Sequence, residues 1–256
     1  MDMRALVTGA SAGLGAEFAR QLAADGFSLV LVARDEARLR ALADELAAAR
    51  GTEVEVLAAD LLEHDDLERV AARLADGARP VDVLVNNAGF AVAEPFHASA
   101  IEDERRMHEL LSWVPLRLAH AALPGMRARR RGGILNVASL AGRLPSGTYS
   151  AAKAQLLMLS RALRAQYRRD GVVVTALLPG FVATEFHERM GVDATTVPEI
   201  GWADASAVVR DGLRALRTRR GIVVADWRYR LAAPIAVLVP DRIIAGVGLG
   251  SRLDDR

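Results

Sequence analysis

The chain has 256 residues, 52% hydrophobic and 25% charged, with a net charge of +1 at pH 7. That length can bury a sizeable core in one domain, and so balanced a charge creates no field that would draw in nucleic acid. Cysteine is absent, which excludes disulfides and thiolate chemistry; it fits a reducing compartment, and a cytoplasmic location is expected.

An apolar run over residues 4–10 predicts a strand that enters a glycine turn, followed by a helix over 14–25. No charged leader precedes an apolar stretch, so no signal peptide is expected. "SLVLVAR" (28–34) predicts a second strand, apolar throughout in the manner of parallel strands buried on both faces. A helix over 35–50, a strand over 53–60, a helix over 64–76 and a strand over 81–89 follow. A long helix is expected over about 102–124, stopped by "LPGM". Next come a strand at 132–140, a helix at about 149–168, a strand at 172–180, a helix at about 203–217 and a strand at 221–226. This alternation predicts a doubly wound α/β fold, a Rossmann-type seven-stranded parallel sheet in one domain over 1–226. The tail from 227 to 256 reads as a largely apolar extension packed on the domain or on a partner subunit; Arg228 and Arg230 leave an interfacial anchor as the weaker alternative. The basic run "MRARRRGG" (126–133) reads as a solvated helix end rather than a polyanion site.

Of the 33 Lys and Arg residues only Lys153 is a lysine, and Asn occurs only at 86, 87 and 136. Residue types that a composition avoids are candidates for specific roles where they persist. The loop "TGASAGLG" (8–15) places Gly9, Gly13 and Gly15 between the first strand and helix, where backbone can approach a pyrophosphate at a helix N-terminus. Tyr149 and Lys153 stand four residues apart and share a helix face. The five histidines show no metal-ligand grouping, and no metal is expected.

Together "TGASAGLG", "NNAG" (86–89), Ser139 in "NVASLAG", "YSAAK" (149–153) and "PGFVATEF" (179–186) resemble the short-chain dehydrogenase/reductase family, in family order over about 4–225. The resemblance implies a carbonyl–alcohol oxidoreductase with Ser139, Tyr149 and Lys153 as catalytic residues. It implies cofactor contacts from Gly9, Ser11, Gly13, Leu14, Gly15, Arg34, Asp60, Leu61, Asn86, Asn87, Ala88, Gly89, Tyr149, Lys153, Pro179, Gly180, Val182 and Thr184. Asn136 is expected to support the sheet or the turn after the fourth strand. An ammonium about 4 Å from the Tyr149 phenol would lower its pKa by roughly three units at an effective dielectric of about 20. Ala33 followed by Arg34 at the end of the second strand favours NADP(H) over NAD(H), with Asp35 as a complication.

Two departures from the family pattern stand out. Leu111 occupies the register of an asparagine thought to position a relay water, so a relay would need Ser112 or a shifted helix, or catalysis would be weaker. The segment from Ser139 to Tyr149 is a few residues short, which predicts an altered or more open pocket and a loose Ser–Tyr geometry. Pocket candidates Phe90, Val92, Leu140, Leu144, Phe181, Phe186, Met190 and Trp202 are largely apolar and suit a lipophilic small-molecule substrate. The alternative is a cofactor-binding protein of this family with weak or no catalysis, acting as a redox sensor or scaffold. The resemblance also implies a homodimer or homotetramer through the fourth and fifth helices. Leu110, Leu118, Leu156, Leu157 and Leu159 are candidates for that surface or for the core.

Overall fold

The computed structural model describes residues 3–182 and 202–236. Seven parallel strands form one sheet in the order β3-β2-β1-β4-β5-β6-β7: β1 Arg4–Thr8, β2 Ser28–Ala33, β3 Val54–Ala58, β4 Val83–Asn86, β5 Gly132–Val137, β6 Val172–Leu178 and β7 Ile222–Val224. The order reverses between β1 and β4, which pair in register from Ala5↔Val83 to Val7↔Val85. This is the doubly wound architecture expected of the sequence, and the crevice at the reversal is where such sheets bind ligands.

Alternate side chains of each strand feed two cores. Leu6, Val30, Val32, Leu84, Ile134 and Val174 face one layer; Val7, Leu29, Leu31, Val85, Leu135 and Leu177 face the other. The second layer is covered by α1 (Gly13–Ala24), α2 (Glu36–Arg50) and α7 (Ala205–Arg217), through Phe18, Leu22, Leu39, Leu42, Val209 and Leu213. The first is covered by α3 (His64–Ala75) and α5 (Val114–Ala128), with Leu163 and Tyr167 of α6 (Thr148–Tyr167) packed against it. All six residues of β2 are buried, which explains their unbroken apolar run.

The long helix differs from expectation in two ways. It begins as α4 (Ile101–His108), passes through a π-helical turn at Glu109–Trp113 and continues as α5. It does not stop at "LPGM": Pro124 lies inside α5, which runs on to Ala128. Proline removes one donor there, yet Leu123 and Met126 on either side are drawn into the core, and packing overrides the stop signal.

The basic run beyond α5 is tied to its own protein. Arg127 pairs with Asp170 at 2.9 Å and stacks over Tyr167, Arg131 pairs with Asp82 at 2.8 Å, and Arg129 and Arg130 donate to the carbonyls of Val81 and Arg169. It is a helix end, as its sequence suggested. The tail begins as α8 (Trp227–Ala236). Residues 237–256, and with them most of the apolar tail, lie outside the described residues.

Candidate active site at the sheet reversal

The loop after β1 is fastened to the end of β4. Thr8 Oγ1 donates to the Val85 carbonyl at 3.3 Å and accepts the N–H groups of Asn87 and Ala88 at 3.0 and 3.1 Å. Asn87 Nδ2 donates back to the carbonyls of Thr8 at 2.9 Å and Gly9 at 3.3 Å. Gly9 has φ +66, and a Cβ there would lie 2.9 Å from Ala88 Cα; a Cβ on Gly15 would lie 2.0 Å from the Gly9 carbonyl oxygen. Only glycine allows this turn to press against both the helix start and the β4 end. Helix α1 then begins at Gly13 with no side-chain cap and no acidic residue in its first turn, which leaves its dipole unopposed. Leu14 packs partly against the core.

Nothing in the spacing of the glycine motif marks Thr8, yet its hydroxyl is the knot joining the two motifs. The asparagines divide differently from expectation. Asn86 is buried, with Nδ2 donating to Asn136 Oδ1 at 2.8 Å, which leaves its main chain for a ligand. Asn136 Nδ2 donates to Ser160 Oγ at 2.8 Å, so the expected sheet-supporting role extends to holding α6. Leu61 also has its side chain in the core, which leaves only its main chain for a ligand. Val182 is likewise buried, and it forms a parallel bridge with Ala203. A Cβ on Gly89 would sit 2.7 Å from Leu111 Cδ2, so the leucine would have to shift to admit one.

Ser139, Tyr149 and Lys153 come together above the ends of β4 and β5. Ser139 caps a 3₁₀ turn, Leu140–Arg143, and its Oγ accepts the Ala141 N–H at 3.1 Å. Its own proton is then available to Tyr149, with whose hydroxyl it is hydrogen-bonded. The short connection therefore does not loosen the pair. It closes by packing the 3₁₀ turn on α6, where a Cβ on Gly142 would lie 2.8 Å from the Lys153 backbone; Gly147, at φ +99, then starts the helix. Lys153 is 4% exposed, donates from Nζ to the Val137 carbonyl at 2.7 Å, and lies 5.7 Å from the Tyr149 ring centre.

The expected drop in the Tyr149 pKa is not what this geometry gives. Tyr149 is partly exposed, but its ring packs against Met107, Leu111, Phe90 and Val92. Burial pushes the phenol above its ordinary range, with the Ser139 hydrogen bond opposing the rise. Burial also lowers the Lys153 ammonium to about 7. Desolvation outweighs the pairwise attraction because both groups share one apolar pocket. Leu111 is 1% exposed in that pocket, on the π-helical turn. Its neighbour Ser112 is also buried, but its Oγ has no hydrogen-bond partner and makes no link to Lys153.

At the other end, Arg34 lies 3.8 Å from Asp60, and Asp60 Oδ1 accepts the Leu62 N–H. Asp35 caps α2: its carboxylate accepts the Arg38 N–H at 3.0 Å and lies 3.5 Å from Arg38 Nε. Ser11 and Arg38 border a groove of about 270 Å³ between α1 and α2. Of the β6 end, Pro179 accepts the Leu140 N–H at 3.0 Å, and Phe181 makes an edge contact with Trp202 at 5.9 Å. Thr184, Phe186 and Met190 lie outside the described residues. Among those described, no group of His, Asp or Glu could hold a metal, and no helix is long and apolar enough to cross a membrane.

The sequence profile described as short chain dehydrogenase matches residues 3–194. The chain belongs to the short-chain dehydrogenase family. A very-long-chain 3-oxoacyl-CoA reductase of Anas platyrhynchos is 34% identical over 189 residues, 71% of this chain and 60% of the duck protein. The chain thus matches less than two thirds of that relative's length. An NADP-dependent 3-hydroxy acid dehydrogenase of Salmonella typhi is 38% identical over 72% of this chain and 75% of its own. The solved short-chain dehydrogenase of Sphingobium yanoikuyae in complex with NADPH superposes with a TM-score of 0.84 at 34% identity, covering 99% of this chain and 98% of that one.

Proposed function

We propose that this member of the family is an NADP(H)-dependent oxidoreductase that interconverts a carbonyl and an alcohol on a lipophilic substrate. The observation that carries the reading is the hydrogen-bonded Ser139–Tyr149 pair with Lys153 beside it, next to a glycine loop that presses against β4. NADP fits the residues present: the α1 N-terminus and Gly9–Gly15 would take the pyrophosphate, and Ser11 with Arg34 and Arg38 would take the 2′-phosphate. Asp35 does not argue for NAD, because its carboxylate is spent as the α2 cap and against Arg38. Gly89, Lys153 and the Pro179–Val182 segment would border the nicotinamide end, with Thr184 proposed beside them. When bound, the cofactor supplies or accepts the hydride.

The chain's own residues handle the proton. Ser139 donates a hydrogen bond to the reacting oxygen, and Tyr149 passes the proton to or from it. Lys153 orients the pair and carries the charge that burial makes adjustable. Phe90, Val92 and Leu111 present an apolar wall, which accepts alkyl or aryl groups and makes few polar demands. The name of the duck relative, which specifies a very-long-chain acyl group, supports a lipophilic substrate. The fold to residue 226 is taken as one catalytic domain, the tail from 227 as an extension of it, and the assembly as a homodimer or homotetramer in the cytoplasm.

NADPH oxidation followed with a panel of lipophilic ketones and aldehydes tests the reading. Turnover is expected, favouring NADPH over NADH, with Tyr149→Phe lowering kcat about 100-fold or more. A kcat/KM favouring NADH by about tenfold would sink the cofactor assignment. Leu111 at a position expected to be polar favours a second reading, a redox sensor or scaffold; tight NADPH binding without turnover across the panel would select it.

A further inference from the structure

We propose that Tyr229, on the first turn of α8, is a positioning residue for the nicotinamide-side backbone at the end of β6. The inference rests on the reading above that Pro179–Val182 borders the cofactor. Tyr229 lies 48 residues from that segment in sequence, and its hydroxyl accepts the Phe181 N–H at 3.1 Å. Its ring abuts Gly180: a Cβ on that glycine would fall 2.2 Å from two of the ring carbons. Two further bonds flank the same stretch, Leu140 N–H to the Pro179 carbonyl at 3.0 Å and Ala203 N–H to the Phe181 carbonyl at 2.8 Å. The backbone from Pro179 to Phe181 is thereby held from three segments at once, and only one of those holds comes from a side chain.

That side chain is itself aimed by a fastened turn. Asp226 takes φ +68, an uncommon conformation for a non-glycine residue, and its carboxylate accepts the Arg228 N–H at 2.9 Å and pairs with the Arg228 guanidinium. Arg228 Nη2 donates to the Trp202 carbonyl at 3.1 Å, and Arg230 Nε donates to the Val224 carbonyl at 2.9 Å. The start of α8 is therefore anchored to β7 and to Trp202 independently of Tyr229. The phenol arrives at Gly180 from a rigid support, and burial raises its pKa, so it stays neutral near neutral pH. Gly180 is small because the tyrosine ring stands where its side chain would be.

Nucleotide affinity read by quenching of protein fluorescence separates positioning from filling. Tyr229→Phe keeps the ring and removes only the acceptor; NADPH should bind about three- to tenfold more weakly, with kcat at saturation within about twofold of wild type. Gly180→Ala should also weaken NADPH binding, and Tyr229→Ala should relieve that effect in the double variant. If Tyr229→Phe melts earlier but binds NADPH as tightly as wild type, the tyrosine is a structural filler and the proposal fails. An equal effect of Gly180→Ala in both backgrounds overturns it as well. Failure of the wild-type chain to bind NADPH overturns the functional reading and this inference with it, whereas normal wild-type binding with an unaffected Tyr229→Phe overturns the inference alone.

Discussion

Burial sets the properties of Lys153. A guanidinium at this position would stay charged at any accessible pH, whereas burial brings the ammonium down to about 7. This gives a physical reason for one lysine among so many arginines. It also gives a test. Between about pH 7 and 10.5 the unfolded chain holds a proton that the folded site has released, so stability from this group rises with pH across that window. Below pH 7 both states hold the proton, and the full penalty, on the order of several kcal/mol, applies. Tyr149 is neutral in both states over most of that window and does not disturb it. Lys153→Met should therefore raise the melting temperature most near neutral pH, and its advantage should shrink towards about pH 10. A gap between variant and wild type that is constant with pH would show that Lys153 is not depressed. That Lys153 lies beside Tyr149 was legible in the sequence from their spacing; the direction of the two shifts was not, because spacing along a helix says nothing about how dry the neighbouring pocket is.

The π-helical turn between α4 and α5 places two adjacent residues in opposite situations. Leu111 fills an apolar pocket with Met107 and Ala152, while Ser112 is buried with an unsatisfied hydroxyl. Leu111→Ala should destabilise the protein by about 2–5 kcal/mol through the cavity it leaves. Ser112→Ala should be neutral or stabilising by up to about 1 kcal/mol, since it removes a buried polar atom that bonds to nothing. Urea unfolding measures both. A clear loss with Ser112→Ala would mean that the hydroxyl has a partner, and would revive the serine as a relay candidate. At this scale the strands and most helices were readable from their apolar runs and punctuation: the unbroken apolar strands feed a core on each face of the sheet. The π-helical turn was not readable, because no residue type marks an extra residue in a helix. Nor was the passage of α5 through Pro124, where core packing decides, or the contact of Tyr229 with Gly180, which joins segments far apart in the chain.

At the scale of the molecule, the leucines considered for subunit contact sort themselves. Leu118, Leu156 and Leu157 are buried in this chain's own core, and Leu110 and Leu159 are half-buried. Besides Met3, Phe96, Ile101, Trp227 and Leu231, the large apolar groups left exposed among the described residues include Trp113, at 50% on the turn before α5, and Met158, at 59% on α6. Both belong to the helices that carry Leu111, Tyr149 and Lys153, and apolar surface at such positions is where an association would gain most. If these helices pair between copies, the partner would press on the backs of the elements that hold the site. Stability and activity would then depend on protein concentration, because association stabilises the folded chain by mass action. Met158→Arg introduces a charge on that face without touching the pocket. It should shift sedimentation towards the monomer and remove any dependence of the melting temperature on concentration, while NADPH still binds. If Met158→Arg sediments like wild type, the copies do not meet through this face, and the tryptophan and methionine need another explanation.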